Sequence, residues 1–366
     1  MRAYKYKCRV SRQFAEACGQ TLDICRELYN ASLQERRDAW RLQRVTISYH
    51  DQRAQLPDIK LVRDDVEAVY SQVLQDVLRR LSKTFDAFFR RLKKGEQPGF
   101  PRFKSKSSFD SFTYPQSGFR LDGDKLTLSK IGSCRLRLSR PVEGTIKTCT
   151  IKREIDGWYV VFAVLENRSR WFPKTGDIAG VDVGISAFAT ISTGEEISNP
   201  RFLRTAERGL KIAQRRVSRK WLRSANRRKA IRLLAKRYRK VARQRLDFFH
   251  KTSLKLIREF DHVVFEDLNI AGMVKNRRLA KSIMDAAWGT FLNVHFAKAE
   301  NAGRIAEKIN PYCTSQDCCE CGARMKLSLS QRVFHCTACG STKGRDHNAA
   351  INIKLRAGLV HLRGLH

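Results

Sequence analysis

Residues 1–10 alternate polar and apolar with the period of a strand. From about Ser11 to Trp40 the period lengthens. Phe14, Cys18, Cys25, Leu28 and Leu33 recur at spacings of mostly three, four or seven, which predicts an amphipathic helix. A polar loop is expected around Ser48–Lys60. Val69, Val73, Val77, Leu81, Phe85, Phe88 and Leu92 then mark one face of a long helix over about 66–92, and Gln72, Gln75, Arg79, Lys83 and Arg90 occupy the other. The run KKGEQPGFPRFKSKSS breaks it. Over 109–166 the period falls to two. Asp-Gly separates alternating segments in RLDGDKLTLSK and in TIKREIDGWYVVFAVLE, a hairpin signal. This stretch and the N-terminal strand are expected to form a small β-barrel, with the helices of 11–95 inserted into it.

A second pattern begins at Asp177. IAGVDVGISAFATISTGEEI reads as a strand pair joined by a turn, and HVVFEDLNI as a buried strand. About fifty residues of basic helix lie between them, with a break expected at 224–226 that gives two antiparallel helices. Strand, helices and strand again predict an α/β layer. There is no internal repeat.

Charge changes the picture. The 366 residues carry 72 Lys+Arg against 36 Asp+Glu, a formal charge of +36, which implies a polyanionic partner. Nucleic acid is the commonest such partner, and an anionic membrane surface is the alternative. Residues 201–245 alone hold nineteen Lys/Arg and one acid, Glu207. Solvated helices usually mix signs, so this pair of helices needs an external counter-charge, which a phosphate backbone supplies. Trp221, Tyr238 and Phe248 within it are read as packing residues. With 42% hydrophobic residues the chain is globular. No run of 18 apolar residues and no apolar signal core are present, so a soluble, cytoplasmic, nucleoid-associated protein is expected. Cys18, Cys25 and Cys149 sit in apolar contexts and read as reduced core residues.

Two Cys-x-x-Cys pairs, Cys318/Cys321 and Cys336/Cys339, are separated by fourteen residues. Each pair places two sulfurs on one ion, and the intervening hairpin closes a tetrahedron, an arrangement that favours Zn²⁺. Gly322 and Gly340 follow the pairs where a knuckle needs positive φ. Cys313, Cys319 and His335 lie nearby without that spacing. A closed four-cysteine site leaves no open position for chemistry, so this zinc is structural.

Three acids stand out against the basic background. Asp182 interrupts the apolar strand GVDVG, Glu266 ends HVVFE, and Asp346 opens the expected helix DHNAAINIKL. A carboxylate in an apolar strand is costly unless paired or bound to a cation. Asp182 also fits a strand edge, Asp346 a plain N-cap, and Asp267 competes with Glu266. Together the acids can converge at one sheet end and bind two Mg²⁺ for phosphodiester hydrolysis.

The segments GVDVGISAFATIS, FEDLNIAGMVKN, TSQDCCECG, FHCTACG and DHNAAINI, in that order, resemble TnpB (OrfB), the RNA-guided DNA nuclease family of insertion-sequence transposons, itself similar to type V CRISPR effectors. The resemblance is specific over 177–366 and looser over 1–176. Cys319, where the family commonly has Ser, and Arg345 before the third acid depart from its pattern without removing a ligand. The resemblance implies a multidomain α+β chain. A wedge β-barrel (1–10 and 109–176) would carry an inserted helical recognition domain (11–108). A RuvC/RNase H-like α/β nuclease domain (177–311 and 342–366) would include basic helices at 203–260 and an inserted Cys₄ zinc ribbon (312–341). It selects Glu266 over Asp267, so that Asp182, Glu266 and Asp346 form the catalytic, Mg²⁺-binding set. It also implies a transposon-derived guide RNA, a check of a transposon-adjacent motif, and cleavage of double-stranded target DNA. The expected nucleic-acid contacts are Gln72, Gln75 and Arg79 on the 66–92 helix, then Arg215, Arg216, Arg219, Lys220, Arg227 and Arg228, and Lys343 and Arg345 beside the third acid. A cleavage-inactive RNA-guided regulator, a compact type V effector and an end-joining transposase are the alternatives.

Overall fold

The computed structural model describes residues 1–166, 172–328 and 331–363. Residues 167–171 of the expected 109–176 segment, 329–330 of the ribbon and the last three of 342–366 lie outside the described residues. The chain divides into two compact units, Met1–Asn167 and Arg168–His366. The boundary thus falls about nine residues before the expected one at 176/177.

In the first unit, β1 (Arg2–Arg9) leads into α1 (Arg12–Asp38), α2 (Tyr49–Ala54), α3 (Leu56–Val62), α4 (Asp64–Glu67) and α5 (Ser71–Lys93). The chain then returns through β2 (Ser111–Tyr114), β3 (Phe119–Asp122), β4 (Lys125–Leu128), β5 (Gly132–Arg137), β6 (Thr145–Glu154) and β7 (Gly157–Leu165). The strands form one antiparallel sheet in the order β2-β6-β7-β1-β5-β4-β3. Among the described residues this is a half-barrel rather than the expected closed barrel, with β2 and β3 at its edges. Its curl brings the Tyr114 hydroxyl on β2 to donate to the Ser129 carbonyl just after β4, 2.9 Å away. β1 sits centrally between β7 and β5, as expected of an N-terminal strand completing the sheet. Both hairpins form, with turns at Gly123–Asp124 and Ile155–Asp156, so each Asp-Gly pair straddles a turn boundary.

Helices and sheet share one core. Phe14, Cys18 and Leu22 of α1 and Val73, Leu74 and Val77 of α5 pack in the same cluster as Tyr6, Phe112, Ile151 and Phe162 of the strands. The segments expected as recognition and wedge domains therefore share one core in a single unit. Cys18, Cys25 and Cys149 are buried in it with free thiols, as expected.

The expected loop at Ser48–Lys60 is helical. Ser48 and Asp51 form a capping box at the start of α2. Buried Gln52 donates to the Ser32 carbonyl (2.9 Å) and to Glu35 (2.6 Å), and accepts from Arg36 (2.9 Å). The segment is polar because it is tied to α1 by hydrogen bonds, which apolar periodicity cannot register. The expected helix over 66–92 is also interrupted. Val66 and Val69 are buried ahead of α5, which begins only at Ser71, and Tyr70 stacks on Tyr114 with ring centroids 5.6 Å apart.

The second unit contains β8 (Ile178–Val183), β9 (Ala187–Ile191), β10 (Glu196–Ser198), α6 (Phe202–Ser218), α7 (Ala225–Glu259), β11 (His262–Glu266), α8 (Ile270–Met273), α9 (Ala280–Ala286), α10 (Trp288–Asn301), β12 (Ile305–Ile309), β13 (Val333–His335), β14 (Thr342–Gly344) and α11 (Arg345–Arg363). A five-stranded mixed sheet has the order β10-β9-β8-β11-β12. β8, β11 and β12 are parallel, and β9 and β10 are antiparallel additions. The basic helices are two, as expected, with the reversal at 219–224 and Ser224 already capping α7 through the Arg227 N–H.

Strand alternation assigns the two sheet faces. Ala179, Val181 and Val183 of β8 and Val263 and Phe265 of β11 pack with Phe249, Phe291 and Leu292 of α7 and α10. Val264 packs on the opposite face with Ile353 and Ala357 of α11. α11 lies directly on β8. A Cβ built on Gly180 would come 2.1 Å from the Ala350 carbonyl oxygen and 2.5 Å from the Lys354 nitrogen, so only glycine admits this helix.

Candidate active site and cysteine ribbon

Asp182 and Glu266 share the parity of Gly180 and Val264, so both face α11, whose first turn carries Asp346. β8 and β11 are in parallel register with Val181 beside Phe265, which sets the two acids side by side at adjacent strand ends. Asp346 comes to them because Gly180 lets the helix down onto β8. The structure thus brings all three sequence-selected acids together. It also separates Glu266 from Asp267: Glu266 is 8% exposed, whereas Asp267 faces solvent and pairs with Lys308 at 3.1 Å.

Burial, with the charges of Glu266 and Asp346 adding to it, pushes the Asp182 carboxyl up to about 8, against a smaller opposing pull from Arg345. The side chain keeps some solvent-facing surface but is enclosed by protein on most sides. Glu266 is also raised, first by burial, while the Thr314 hydroxyl that donates to it pulls the other way. Arg345 stands 3.4 Å from Asp346. Asp182 is thus a buried carboxyl held against the charges of two neighbouring acids. A raised carboxyl costs stability wherever it is ionised. In metal-free protein the contribution of this one carboxyl to stability is therefore fully present below the unfolded Asp range near ~4 and is lost as pH climbs towards 8. Asp182→Asn removes that cost. Thermal unfolding of metal-free protein should show the variant gaining on the parent as pH rises from 5 to 8; parallel profiles would contradict the burial of this charge.

The cysteine ribbon is built from two like knuckles. In the first, the Gly322 N–H donates to the Cys318 carbonyl (2.9 Å) and the Cys318 N–H to Ala323 (2.9 Å); in the second, Gly340 and Cys336 repeat this with Cys336 and Ser341 at the same distances. Gly322 and Gly340 have φ of 74° and 76°, as the spacing required. One donor sulfur from each of Cys318, Cys321, Cys336 and Cys339 lies within 4.8 Å of all the others. Among the described residues no other group of three or more Cys, His, Asp or Glu donors closes to this degree. The acidic trio is spaced more widely. Backbone N–H groups of Cys339 and Ala338 draw the Cys336 thiol down, whereas Cys339, against the pull of the Ser341 N–H, is pushed up by the Cys321 and Cys336 sulfurs beside it. His335 lies outside the cluster against Thr342 (2.8 Å), and Cys313 and Cys319 are likewise not in it.

The ribbon does not end at residue 341. Thr342–Gly344 form β14, paired with β13, and run without a linker into α11. Residues 342–344, expected in the last part of the nuclease domain, are therefore part of the ribbon itself. A second attachment was not legible from cysteine spacing. Asn348 donates to the Asp317 carbonyl (2.8 Å) and accepts from the Cys319 N–H (3.0 Å). Asn352 donates to Thr314 (2.9 Å) and Asp317 (2.6 Å), and Arg356 to Tyr312 (2.6 Å) and the Asp317 carboxylate (3.0 Å). These residues recur every fourth position on one face of α11, a periodicity visible in DHNAAINIKLR. Thr314, 3% exposed, joins this clamp to Glu266.

The expected nucleic-acid contacts are dispersed. Arg215, Arg216, Arg219, Lys220 and Arg228 lie exposed on α6, α7 and the turn between them. Arg227 is half-buried, and its guanidinium donates to the Val217 (3.0 Å) and Lys220 (3.1 Å) carbonyls, so it braces the turn. Lys343 pairs with Glu320 at 2.9 Å within the ribbon, while Arg345 is at the acids. Gln72 and Gln75 on α5 are half-buried, and Gln72 accepts from the Ser117 N–H at 3.3 Å. Arg79 is exposed, its guanidinium over the Tyr49 ring. Of the three aromatics read as packing residues, only Phe248 packs, against Phe188 and Phe249. Tyr238 is half exposed, and Trp221 is 88% exposed.

A protein of Streptomyces pristinaespiralis named "Putative RNA-guided DNA endonuclease" is 37% identical over 98% of this chain and 90% of its own length. Residues 162–277 match OrfB_IS605, described as "Probable transposase", and 288–353 match the Cas12f1-like TNB domain. The chain belongs to the TnpB (OrfB) family. InsQ of Escherichia coli, whose name carries the same description, is 28% identical over 98% of this chain and 92% of its length. Among solved structures, the Cas12f1-sgRNA-target DNA complex aligns with a TM-score of 0.60 at 16% identity, over 94% of this chain and 83% of that one. The mini-RNA-guided endonuclease CRISPR-Cas phi3 aligns at 0.51 and 11%, over 98% and 92%. These likenesses establish a shared mixed α/β fold. They span both units, so the looser resemblance expected over 1–176 extends to the fold. Among the described residues no helix is long and apolar enough to cross a membrane.

Proposed function

We propose that this chain is an RNA-guided, Mg²⁺-dependent DNA endonuclease encoded by a transposon, with a RuvC-like site at Asp182, Glu266 and Asp346. The observation that carries the reading is the convergence of these acids on one face of the β10-β9-β8-β11-β12 sheet, where burial and mutual repulsion lift Asp182 to about 8. The strand order, with two parallel strands following an antiparallel meander, supports the RNase H-like reading. Three converging carboxylates, two of them buried, fit a pair of divalent cations. Two such ions would supply an activated water and a stabilised leaving oxygen. The chain's own groups would hold them. β8 and β11 fix Asp182 and Glu266, Thr314 holds one Glu266 oxygen, and α11 presents Asp346 with Arg345 beside it for a phosphate.

The sulfur quartet fits Zn²⁺, soft donors in a closed set of four. Guide RNA and target DNA account for the charge of +36, which the exposed Arg215, Arg216, Arg219, Lys220 and Arg228 meet on α6 and α7. Gln75 and Arg79 on α5, with the amide nitrogen of Gln72, suit base edges of the adjacent motif. The test is expression with the flanking transposon DNA, sequencing of RNA that copurifies, and cleavage of a plasmid matching its guide with and without Mg²⁺. Bound RNA with matched, Mg²⁺-dependent cleavage is expected, and Gln72→Ala/Gln75→Ala should shift which flanking sequences are cut. Purified protein carrying no discrete RNA, or cutting without regard to it, would refute the reading.

A further inference from the structure

The reversal between α6 and α7 ends in Trp221 and Leu222, 88% and 77% exposed. Single exposed apolar residues are ordinary, but two large adjacent ones at a projecting tip are not. The tip is held in shape. Arg227 caps the Val217 and Lys220 carbonyls, Ser224 caps α7 through the Arg227 N–H, and the Ser224 N–H donates to the Trp221 carbonyl at 3.3 Å. Arg223 takes a positive φ of 63° to complete the turn. The indole is thus presented on a braced support. Arg219, Lys220 and Arg223 flank it along the turn and Arg228 follows at the start of α7, all exposed, and the sequence has no Asp or Glu between Glu207 and Asp247.

The chain path places the tip. α7 runs down into β11 and packs on the sheet through Phe249 and Leu256, so its N-terminal half projects past the end of β11 that carries Glu266. From Phe249 back to Ala225 is about 36 Å of helix. The tip therefore stands out beyond the carboxylate end of the sheet. A second copy of this basic hairpin would be repelled from it. Duplex DNA offers phosphates but no open base face, because every base is stacked on both sides. An unpaired strand offers both.

We propose that Trp221, backed by Leu222, is a stacking platform for an unpaired DNA strand, which the surrounding cations hold by its phosphates on the way to the carboxylates. The choice of DNA rests on the cleavage reading above. Base–aromatic stacking is tolerant of sequence and contributes most where cations track the backbone.

The experiment uses the full chain with its copurified RNA. Binding is measured for a labelled 20-nucleotide single-stranded DNA unrelated to the guide, its duplex, the same sequence as RNA, and vesicles of anionic phospholipid. Trp221→Ala should weaken single-stranded DNA binding about 10-fold, and Trp221→Phe by less than about 3-fold. Duplex affinity should hold. Trp221→Ala should keep the salt dependence of the parent, whereas Arg219→Ala should lower its log–log slope by about one. Unchanged single-strand binding in Trp221→Ala overturns the proposal. So does an equal loss for duplex, RNA or vesicles, which would make the tip a general, RNA or membrane contact. Guided cleavage by the same preparations separates the two readings. Trp-dependent strand binding without cleavage upholds the platform and refutes the nuclease. Cleavage with binding indifferent to Trp221 does the reverse.

Discussion

Alanine at Asp182, Glu266 or Asp346 should each reduce guided cleavage by at least two to three orders of magnitude, the scale of ~10²–10³ on which one preorganised electrostatic group acts. RNA binding should survive. Asp182 and Glu266 sit at the ends of strands whose packing is carried by Val181, Val183, Val263 and Phe265, on the other face, and Asp346 sits in the first turn of α11, ahead of the buried Ile353 and Ala357. Removing a carboxyl from this crowded set also relieves repulsion, so none of the variants should unfold the unit. The check is single-turnover cleavage with Mg²⁺ beside RNA binding and thermal unfolding. Near-parental cleavage in any one of the three would remove that residue from the ligand set.

Cys336→Ser should cost cleavage nearly as much, although no cysteine reaches the acids. The quartet shapes the knuckle whose backbone Asn348 and Asn352 grip, and Thr314 passes that grip to Glu266. Because β14 enters α11 directly, a loosened ribbon also releases the end of the helix that bears Asp346. Two of three acids would lose their support at once, in a reaction where small misplacements are expensive. The sheet core is separate from the ribbon core of Cys318, Phe334 and Cys336, so the rest of the unit should stay folded. Metal analysis should find about one zinc in the parent and less in the variant. Thr314→Ala should share the cleavage defect yet keep zinc, and higher Mg²⁺ should rescue it in part. Normal cleavage in verified zinc-free protein would end this account.

The candidate site was legible because its residues break local rules. Asp182 is a charge among valines, Glu266 ends an apolar run, and two Cys-x-x-Cys pairs at this spacing suit little besides a metal. The supports were not legible, because Thr314, Asn348 and Asn352 are ordinary polar residues whose meaning depends on a partner about thirty or more positions away. The same reason hid α2 and α3, whose attachment to α1 runs through Gln52 rather than an apolar stripe. Trp221 was misjudged for the opposite reason. Its type suggests burial, and only the turn braced by Arg227 shows that it is held outward. Closure of the half-barrel was overestimated because alternation gives strand faces but says nothing about whether the two edge strands meet.

The common core of the first unit has a consequence for engineering. α1 and α5 do not dock on a finished sheet; they supply the wall against which β1, β2, β6 and β7 close. An insertion in the chain is thus not a module in the fold. Grafting the helices of one relative onto the strands of another should yield protein that fails to fold unless residues 1–166 travel together. Melting of that unit should show one transition rather than a helical step and a sheet step.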